Sequence, residues 1–410
     1  MAKKQAGSIR VLIYSQDGFG LGHLRRNLNI SLQIKKQCPS ASILIIADSP
    51  VAPFFKLPPK CDFIKLPTIV KVDTGIWRPN RLPMHYQELL KIRADIIQNV
   101  MLSFRPHIFL VDHMPHGALG ELARPLDVLK RTYPETRIIL GLRDILGAQD
   151  VIHKMWQDEG AFEAAEQFYD AICIYGCQDV FNLTEEYDFP SQLVANSRYC
   201  GYVARENRAG KKRATGPPGN GVHGKNSNGA TQNEKFILVT GGGGADASYF
   251  MDKFIEAARR LNGHYHYHAL ISTGPFLHEK QYQLLQKKAR GTHIQIRRIG
   301  ADSIPLIKKA DLIVSMAGYN TISEIMRFRK NAVVIPRPGP SAEQTIRTNI
   351  LTDRGIIHSM HPTELTAEKL ADLIADRLEN GNGMAEDRLP DLNGAVNAAR
   401  HLLAHVKQNT

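Results

Sequence analysis

The chain has 410 residues, of which 43% are hydrophobic and 22% charged, and its formal net charge is +12. At roughly 100–200 residues per domain this length predicts two or three domains, and the composition excludes disorder over most of the chain. No apolar run reaches the roughly 20 residues of a membrane-spanning helix, and the first ten residues lack the apolar segment of a secretory signal. The five cysteines form no C-x-x-C pair, which argues against a disulfide framework or a zinc ribbon. We therefore expect a cytoplasmic protein.

Segment 204–234 is rich in Gly, Asn, Pro and Lys and contains almost no large apolar side chains. Such a segment cannot bury enough surface to offset its chain entropy, so we predict a disordered linker or a long loop. It also carries much of the net charge, and the remaining positive excess is weak support for nucleic-acid binding. The linker divides the chain into an N-terminal domain, 1–203, and a C-terminal domain, 235–390, followed by a last helix within 391–410.

The N-terminal half begins with a β-rich run at 9–14, a glycine-rich turn at 17–22 and a helical stretch at 23–36. Strand, glycine turn and helix in this order typically open a parallel α/β domain. Further strands are predicted at 42–47, 107–112, 137–142 and 171–175.

The C-terminal half repeats this opening, with a strand at 235–240, four glycines at 241–244 and a helix at 247–261. Further strands are predicted at 265–272, 294–299, 312–315 and 332–335. Because helical patterns alternate with the strands in both halves, we predict two doubly wound, Rossmann-like domains that face each other across a cleft.

The most informative segment runs from residue 311 to residue 355. A predicted strand ends at Ser315, and after a turn containing Gly318 a helix begins near Asn320 or Thr321, with Asn320 as a suitable N-cap. The free amides of that helix end suit a phosphate, and Glu324 lies one turn further on. Later in the segment Glu343 and Gln344 open another helix, where carboxylate and amide groups suit sugar hydroxyls.

At these positions the sequence resembles the MurG-like nucleotide-sugar glycosyltransferases of family 28, which have the two-domain GT-B fold. Ser315, Gly318, the Ser323-Glu324-Ile325 triplet, Gln344 and Gly355 match the C-terminal signature of that family. The resemblance implies cell-envelope or polysaccharide biosynthesis and UDP as the nucleotide. It also implies a last helix that packs back on the N-terminal domain.

The resemblance assigns roles to the donor side. Glu324 would bind the ribose hydroxyls, Gln344 with Glu343 the hexose, and Gly300 the uracil through its backbone. The glycine turn would contact the donor, although Ala245 stands where the family has a further glycine. The predicted donor-binding residues are Gly241, Gly242, Gly243, Gly244, Gly300, Ser315, Gly318, Asn320, Thr321, Glu324, Glu343 and Gln344.

The N-terminal glycine turn places His23 at the mouth of the cleft, where the family has a catalytic-site histidine. An imidazole suits removal of a proton from an acceptor hydroxyl, while a capping role for His23 is the alternative. Asp112 follows a strand on the same domain. Its role could be that of a second candidate base, a group that orients His23, or an ordinary helix cap. The predicted acceptor-side residues are Gly20, Gly22, Arg26, His113 and Arg143.

Arg26 departs from the family pattern and instead matches the Gly-His-x-x-Arg of UDP-sugar hydrolases of nonulosonic acid biosynthesis. Transfer and hydrolysis therefore both remain open. The D-x-D motif of metal-dependent glycosyltransferases is missing from the sequence, so we expect metal-free donor binding and no cofactor besides the UDP-sugar co-substrate. His264, His266 and His268 would share one face if they lie on a strand. The two interpretations are a metal site and the exposed start of a strand.

These observations predict a glycosyltransferase that moves a hexose or N-acetylhexosamine from a UDP-sugar to an unidentified acceptor hydroxyl, with inversion. The alternatives are a UDP-sugar hydrolase that uses His23 to activate water, and a non-catalytic protein that binds sugar nucleotides or polyanions. The stretch 54–93 mixes basic and aromatic residues. It suits an acceptor lid, a plain surface loop, or peripheral contact with the anionic inner face of a membrane that holds a lipid-linked acceptor. We expect no nucleic-acid partner.

Overall fold

The computed structural model describes residues 8–17, 21–73, 76–205, 234–299, 303–339, 341–381 and 384–407. Gly20, Gly300 and nearly all of the predicted linker lie outside these ranges, so what was inferred for them stays a prediction.

The first half of the chain is built on a parallel sheet. In chain order its strands are β1 (Arg10–Ser15), β2 (Ser42–Ala47), β3 (Cys61–Lys65), β4 (Ile69–Asp73), β5 (Ile76–Pro79), β6 (Ile108–Asp112), β7 (Arg137–Arg143), β8 (Ala171–Tyr175) and β9 (Ser197–Tyr199). Within the described part, seven of them form one sheet in the order β3-β2-β1-β6-β7-β8-β9, while β4 and β5 form an antiparallel hairpin. The central strands are buried along their whole length, as expected where helices cover both faces.

Helices of the first half connect these strands and cover the sheet. They are α1 (Gly22–Gln37), α2 (Tyr86–Phe104), α3 (Ala123–Thr132), α4 (Gln149–Asp158), α5 (Ala161–Phe168), α6 (Leu183–Glu186) and α7 (Ser191–Ala195). α1 buries Leu24, Asn27, Ile30 and Ile34, which is the three-to-four-residue spacing of an amphipathic helix.

The second half repeats the architecture. Its strands are β10 (Lys235–Thr240), β11 (Tyr267–Ser272), β12 (Ile294–Arg297), β13 (Leu312–Ser315), β14 (Ala332–Val334) and β15 (His358–Ser359). Its helices are α8 (Ser248–Leu261), α9 (Glu279–Lys288), α10 (Ile304–Lys309), α11 (Tyr319–Arg327), α12 (Glu343–Asp353), α13 (Ala367–Asn380) and α14 (Gly394–Lys407). Among the described residues the strands pair in the order β12-β11-β10-β13-β14-β15, all parallel.

Both sheets reverse their strand order at one point, between β1 and β6 in the first and between β10 and β13 in the second. In open parallel sheets ligands bind outside the carboxyl ends of the strands at such a switch point. The residues placed there are Ser15 and Asp112 in the first half, and Thr240 and Ser315 in the second.

The last helix, α14, packs on the first half. Ile30 of α1 and Leu402 of α14 belong to one buried apolar cluster. Gln37 Nε2 donates to the Val396 carbonyl at 3.0 Å, and Asn397 Nδ2 donates to the Cys200 carbonyl at 2.9 Å. The chain therefore crosses between the two halves twice. No helix in the described ranges has the length and apolar character needed to cross a membrane.

Several sequence predictions need correction. The short strands β3, β9 and β15 and the β4–β5 hairpin were missed. The strand predicted at 265–272 begins at Tyr267, so His264 and His266 precede it and the three histidines do not alternate along one strand. His268 Nδ1 lies 3.3 Å from Glu234 Oε2, which favours the exposed strand start over a metal site.

Candidate active site

The two switch points meet through the first residues of α1 and α11. Asn320 Nδ2 donates to the Gly22 carbonyl at 2.9 Å. Tyr319, the first residue of α11, donates from its hydroxyl to the Tyr175 carbonyl of β8 at 2.8 Å, and the same hydroxyl accepts from Val203 N–H at 2.8 Å. The beginning of α11 is thereby fixed against the first half, one residue away from His23.

His23 and Asp112 form a side-chain pair at the first switch point. His23 Nδ1 lies 3.1 Å from Asp112 Oδ2, and Asp112 is fully buried, whereas the imidazole is 18% exposed. Asp112 Oδ2 and Arg26 Nη2, which is 2.9 Å away, both face Nδ1. A proton on Nδ1 would donate to the carboxylate and would leave Nε2 as the atom that accepts a proton. The pair therefore has the composition of a general base with an orienting carboxylate.

Arg26 and Asn27 support Asp112 from inside. Arg26 Nη2 lies 2.7 and 2.8 Å from the two carboxylate oxygens, and Asn27 Nδ2 donates to Oδ2 at 3.0 Å. Burial alone would raise the pKa of Asp112, but Arg26 and His23 outweigh it and hold the pKa well below its usual value. The Arg26 side chain is only 2% exposed, so it does not line the acceptor side as the sequence predicted.

Asp17 caps α1 with its own carboxylate, an interaction that the sequence analysis missed. Oδ1 accepts from His23 N–H at 3.0 Å, and Oδ2 accepts from Leu24 N–H. Asp17 is itself held because its N–H donates to Asp48 Oδ1 at 2.6 Å. The first amides of α1 are therefore satisfied within the protein.

His113 and Arg143 also lie at the carboxyl edge of the first sheet. The His113 ring centroid is 5.3 Å from that of His23, and its backbone has a φ of 88°, a conformation rare outside glycine. Burial, followed by the nearby Arg143 and His23, holds the pKa of His113 well below its usual value. Arg143 forms an ion pair with Glu343 Oε2 of the second half, so it lies between the two halves.

The four glycines after β10 form a tight turn. Gly242 and Gly244 have φ values of 65° and 91°, and a Cβ on Gly244 would lie 1.8 Å from the Thr273 carbonyl oxygen. Glycine is therefore required there on two grounds. A Cβ on Gly242 would lie 4.0 Å from Thr321 Oγ1, which puts the turn beside the beginning of α11.

Among the residues that the structure describes, no side chain caps the N-terminus of α11. Its N-cap residue is Gly318, and a Cβ there would meet no atom within 4 Å. The prediction of Asn320 as N-cap is wrong, because the helix begins at Tyr319 and the Asn320 amide reaches Gly22. Asn320 Oδ1 is buried without a hydrogen-bond partner among the described residues. The uncapped amides and the helix dipole suit an anion.

Glu324 lies on the second turn of α11 and is 7% exposed. It lines a small pocket between the two halves together with Arg25, Leu28, Asn29, Phe55, Arg205 and Ser303. Ser315 is buried at the end of β13. A ligand whose anionic group occupies the beginning of α11 would therefore have this pocket beside it.

Glu343 and Gln344 open α12, as the sequence predicted. Burial would raise the pKa of Glu343, but Arg143 and Arg347 outweigh it and lower the pKa. Gln344 Oε1 accepts from Arg337 N–H at 3.1 Å. The Glu343 carboxylate therefore stays charged at the interface of the two halves.

Arg347 and Asp144 form a buried ion pair across the halves. Arg347 Nε and Nη2 lie 2.8 and 2.7 Å from the two oxygens of Asp144, and each side chain is 1% exposed. Arg347 was missed by the sequence analysis, although it follows Glu343 at the four-residue spacing that puts both on one helix face. This bidentate pair fixes α12 against the end of β7.

The sequence of the second half matches a known domain. Residues 236–401 match the glycosyltransferase family 28 C-terminal domain. Over 191 residues the chain is 28% identical to the UDP-N-acetylglucosamine--N-acetylmuramyl-(pentapeptide) pyrophosphoryl-undecaprenol N-acetylglucosamine transferase of Bacillus cytotoxicus, covering 46% of this chain and 52% of that protein. A protein of the same name from Bacillus anthracis is 29% identical over 152 residues, 37% of this chain and 41% of that protein. The chain thus spans about half the length of these relatives, or less.

Solved structures resemble the whole chain. MurG of Acinetobacter baumannii has a TM-score of 0.55 at 16% identity, covering 98% of this chain and 99% of that protein. The glycotransferase of kitacinnamycin has a TM-score of 0.60 at 14% identity, with 98% and 100% covered. At this identity the likeness establishes the fold alone, and a putative UDP-N-acetylglucosamine 2-epimerase from Listeria monocytogenes shares it at a TM-score of 0.58 and 13% identity, with 98% and 96% covered. The chain therefore has the GT-B fold of these structures, and its residues 236–401 match the glycosyltransferase family 28 C-terminal domain.

Proposed function

We propose that this protein transfers a hexose or N-acetylhexosamine from a UDP-sugar to an acceptor hydroxyl. The observation that carries the proposal is the hydrogen bond from Asn320 Nδ2 to the Gly22 carbonyl at 2.9 Å. Through this bond the beginning of α11 lies next to the His23–Asp112 pair, so the proposed anion site would adjoin the proposed general base. The names of the Bacillus relatives, which specify UDP-N-acetylglucosamine and a transferase, support the same reading.

On the donor side, the diphosphate would lie at the beginning of α11, where free amides and the helix dipole stabilise negative charge. Glu324 would contact the ribose and Gln344, with Glu343, the hexose. The same amides would stabilise UDP as it departs, when its charge increases. We expect this arrangement to serve without a metal ion, so EDTA should leave the rate unchanged.

On the acceptor side, His23 Nε2 would remove the proton of the acceptor hydroxyl. The acceptor oxygen would form its bond to the anomeric carbon as the bond to UDP breaks, which inverts that carbon. Asp112 would stabilise the imidazolium that forms and hold the ring in position. Domain closure would align the two substrates and exclude water.

The first test is UDP binding measured by calorimetry and thermal shift, with GDP, dTDP and ADP as competitors. We expect UDP to stabilise the wild-type protein and the Glu324→Ala variant to lose that effect. Glu364→Ala, an exposed carboxylate on another segment, is the matched control and should bind UDP normally. Failure of every nucleotide to bind would overturn the donor site and favour the polyanion-binding alternative.

A product assay then separates transfer from hydrolysis. The Gly22-His23-x-x-Arg26 sequence is the observation that favours a UDP-sugar hydrolase as the second candidate. Free sugar released at the full rate without acceptor would establish hydrolysis, whereas acceptor-dependent release of UDP would establish transfer.

Exposed apolar and basic side chains near the acceptor half suit a membrane surface. Phe54 is 76% exposed and Leu82 47%, and the exposed Lys56, Arg78 and Arg81 lie in the same stretch of sequence. We propose peripheral contact with anionic lipid and a lipid-linked acceptor. Phe54→Ser should reduce co-sedimentation with phosphatidylglycerol vesicles, whereas Leu284→Ser, at an exposed leucine of the second half, should not; equal sedimentation of both would refute the contact.

A further inference from the structure

Arg26 packs against two tyrosine rings that belong to different halves of the molecule. Its guanidinium carbon is 5.3 Å from the ring centroid of Tyr175, in β8, and 5.5 Å from that of Tyr319, at the beginning of α11. These distances are within the range of cation–π attraction, which is strongest where water is excluded. The same guanidinium holds both oxygens of Asp112.

We propose that Arg26 is a positioning residue that couples the His23–Asp112 pair to the donor helix through Tyr319. The proposal rests on the proposed function, because it concerns how the general base is completed when α11 is in place. Arg26 would touch neither substrate and would act through Asp112.

The contacts of Tyr319 make such coupling physically direct. Its hydroxyl is fixed by the Tyr175 carbonyl and Val203 N–H, and its ring stacks on Tyr202 with centroids 5.8 Å apart. Tyr319 therefore cannot shift without a shift of the beginning of α11, where the diphosphate would lie. A movement of that helix would change the position of the ring that packs on Arg26.

The polar side of Arg26 has little freedom of its own. Nη2 faces Asp112 and lies 2.9 Å from His23 Nδ1, while Nε is buried without a hydrogen-bond partner among the described residues. The two aromatic rings add packing against the guanidinium beyond these polar contacts. Without the Tyr319 ring, we expect the guanidinium to tilt toward the space that opens and to lose part of its alignment with Asp112, because the cation–π contact with that ring no longer holds it.

Other charged groups also face the pair. Asp17 lies before α1, His113 follows β6, and Glu343 of α12, with its partner Arg143, approaches from the second half. All of these remain in variants of Tyr319, so a change in pH dependence in such variants reports on Arg26. If Arg26 loses this alignment, the Asp112 carboxylate is less compensated and stabilises a proton on the His23 imidazole more strongly. The base then stays protonated to higher pH, and the acid limb of the kcat/KM profile moves upward.

The experiment compares Tyr319→Leu, which removes the ring, with Tyr319→Phe, which keeps the ring and loses only the hydroxyl. We expect Tyr319→Leu to lower kcat by about 10- to 30-fold and to shift the acid limb upward, and Tyr319→Phe to lose at most about threefold with its acid limb in place. Arg26→Lys should resemble Tyr319→Leu, and the double variant should be no slower than the slower single variant. A ring with only a structural role would lower kcat equally at all pH values.

Three results would each overturn the proposal. They are equal losses of kcat in Tyr319→Leu and Tyr319→Phe, acid limbs that do not shift, and effects of Arg26→Lys and Tyr319→Leu that multiply in the double variant. UDP binding to the wild-type protein, measured first, separates this outcome from failure of the proposed function itself. Circular dichroism and thermal unfolding identify a variant that fails to fold, in which case the pH profile of Arg26→Lys decides alone.

Discussion

Two helices, α1 and α11, begin side by side at the cleft, and they differ in whether a side chain caps their N-terminus. At α1 the carboxylate of Asp17 accepts hydrogen bonds from the backbone amides of His23 and Leu24. At α11 the N-cap is Gly318, and no side chain in the described part of the chain forms a capping hydrogen bond there. Helix N-termini attract anions in general, so the difference indicates which of the two ends is available to a ligand.

The contrast extends to what lies behind each helix. Asp17 is held by Asp48, and Asp48 lies 3.5 Å from Arg93, whose guanidinium also binds both oxygens of Glu121 at 2.6 Å. All of these groups are buried. The first half therefore uses a network of internal charges to fix the helix that carries His23, while in the second half α11 begins without a side-chain cap from the described residues.

The largest effect is expected at the base. His23→Ala should lower kcat by about 10²- to 10⁴-fold, the usual contribution of general base catalysis. UDP affinity should be unchanged, because the proposed donor contacts belong to the second half. Steady-state kinetics and UDP calorimetry measure the two quantities. His264→Ala, at an exposed histidine of the second half, serves as control, and a His23→Ala enzyme with wild-type kcat would exclude His23 as the base.

Removing one partner of the ion pair that joins the halves should strongly destabilise the fold. Asp144→Ala leaves the buried Arg347 with only the more distant Glu343 carboxylate, 3.7 Å away, and the free energy of unfolding should fall by about 3–5 kcal/mol. The double variant Asp144→Leu with Arg347→Met should recover much of this loss, since no charge is left without a partner. Urea denaturation measures both, and equal losses in the single and double variants would contradict this account.

Sequence reasoning predicted the strands best where they are buried on both faces, because such strands are continuous apolar runs. It missed β3, which is largely half-exposed, and the two-residue β15. Sequence reasoning also predicted that Asp112 could orient His23. Both residues come at or after the ends of strands, and these strands, β1 and β6, are neighbours in the sheet.

The contacts between the halves could not be predicted in this way. Asp144 and Arg347 are 203 positions apart, and their pairing depends on how the two sheets are oriented. Asn320 was interpreted as a cap because local sequence favours that role, whereas in the structure its amide reaches Gly22 across the interface. Spacing along the chain predicts strand ends, but it carries no information on which ends from separate sheets meet.

The network behind α1 should make stability depend on pH. Burial, opposed by Arg93 and by the Asp17 N–H, raises the pKa of Asp48 to about 6, whereas an unfolded aspartate titrates near 3.9. The folded state therefore binds this proton more tightly, and the stability contributed by Asp48 is greatest below about pH 4 and is lost as pH rises through 6. The total change is roughly 2–3 kcal/mol.

The Asp48→Asn variant cannot titrate at this position and should lack that dependence. Urea denaturation at several pH values gives the difference in unfolding free energy between variant and wild type. We expect the difference to shift in favour of the variant between pH 4 and pH 6 and to level off above pH 7. A difference that stays constant with pH would show that Asp48 has an ordinary pKa.

The smallest effect tests the contrast between the two helix ends directly, by giving α11 the carboxylate that α1 already has. Gly318→Asp fits sterically, because a Cβ there meets nothing within 4 Å and the backbone, at φ −64° and ψ 137°, has the extended conformation of an N-cap. The new carboxylate should cap α11 and raise stability by about 1 kcal/mol, while it weakens UDP binding by about tenfold through competition and repulsion at the same amides. Gly318→Ala adds the Cβ without the charge and should bind UDP nearly as the wild type does. At α1, Asp17→Asn should lower stability and leave UDP affinity unchanged. A variant of α11 that gains stability and loses affinity, beside a variant of α1 that changes in stability alone, would locate the nucleotide at α11. A Gly318→Asp protein that binds UDP as tightly as Gly318→Ala would place the diphosphate elsewhere.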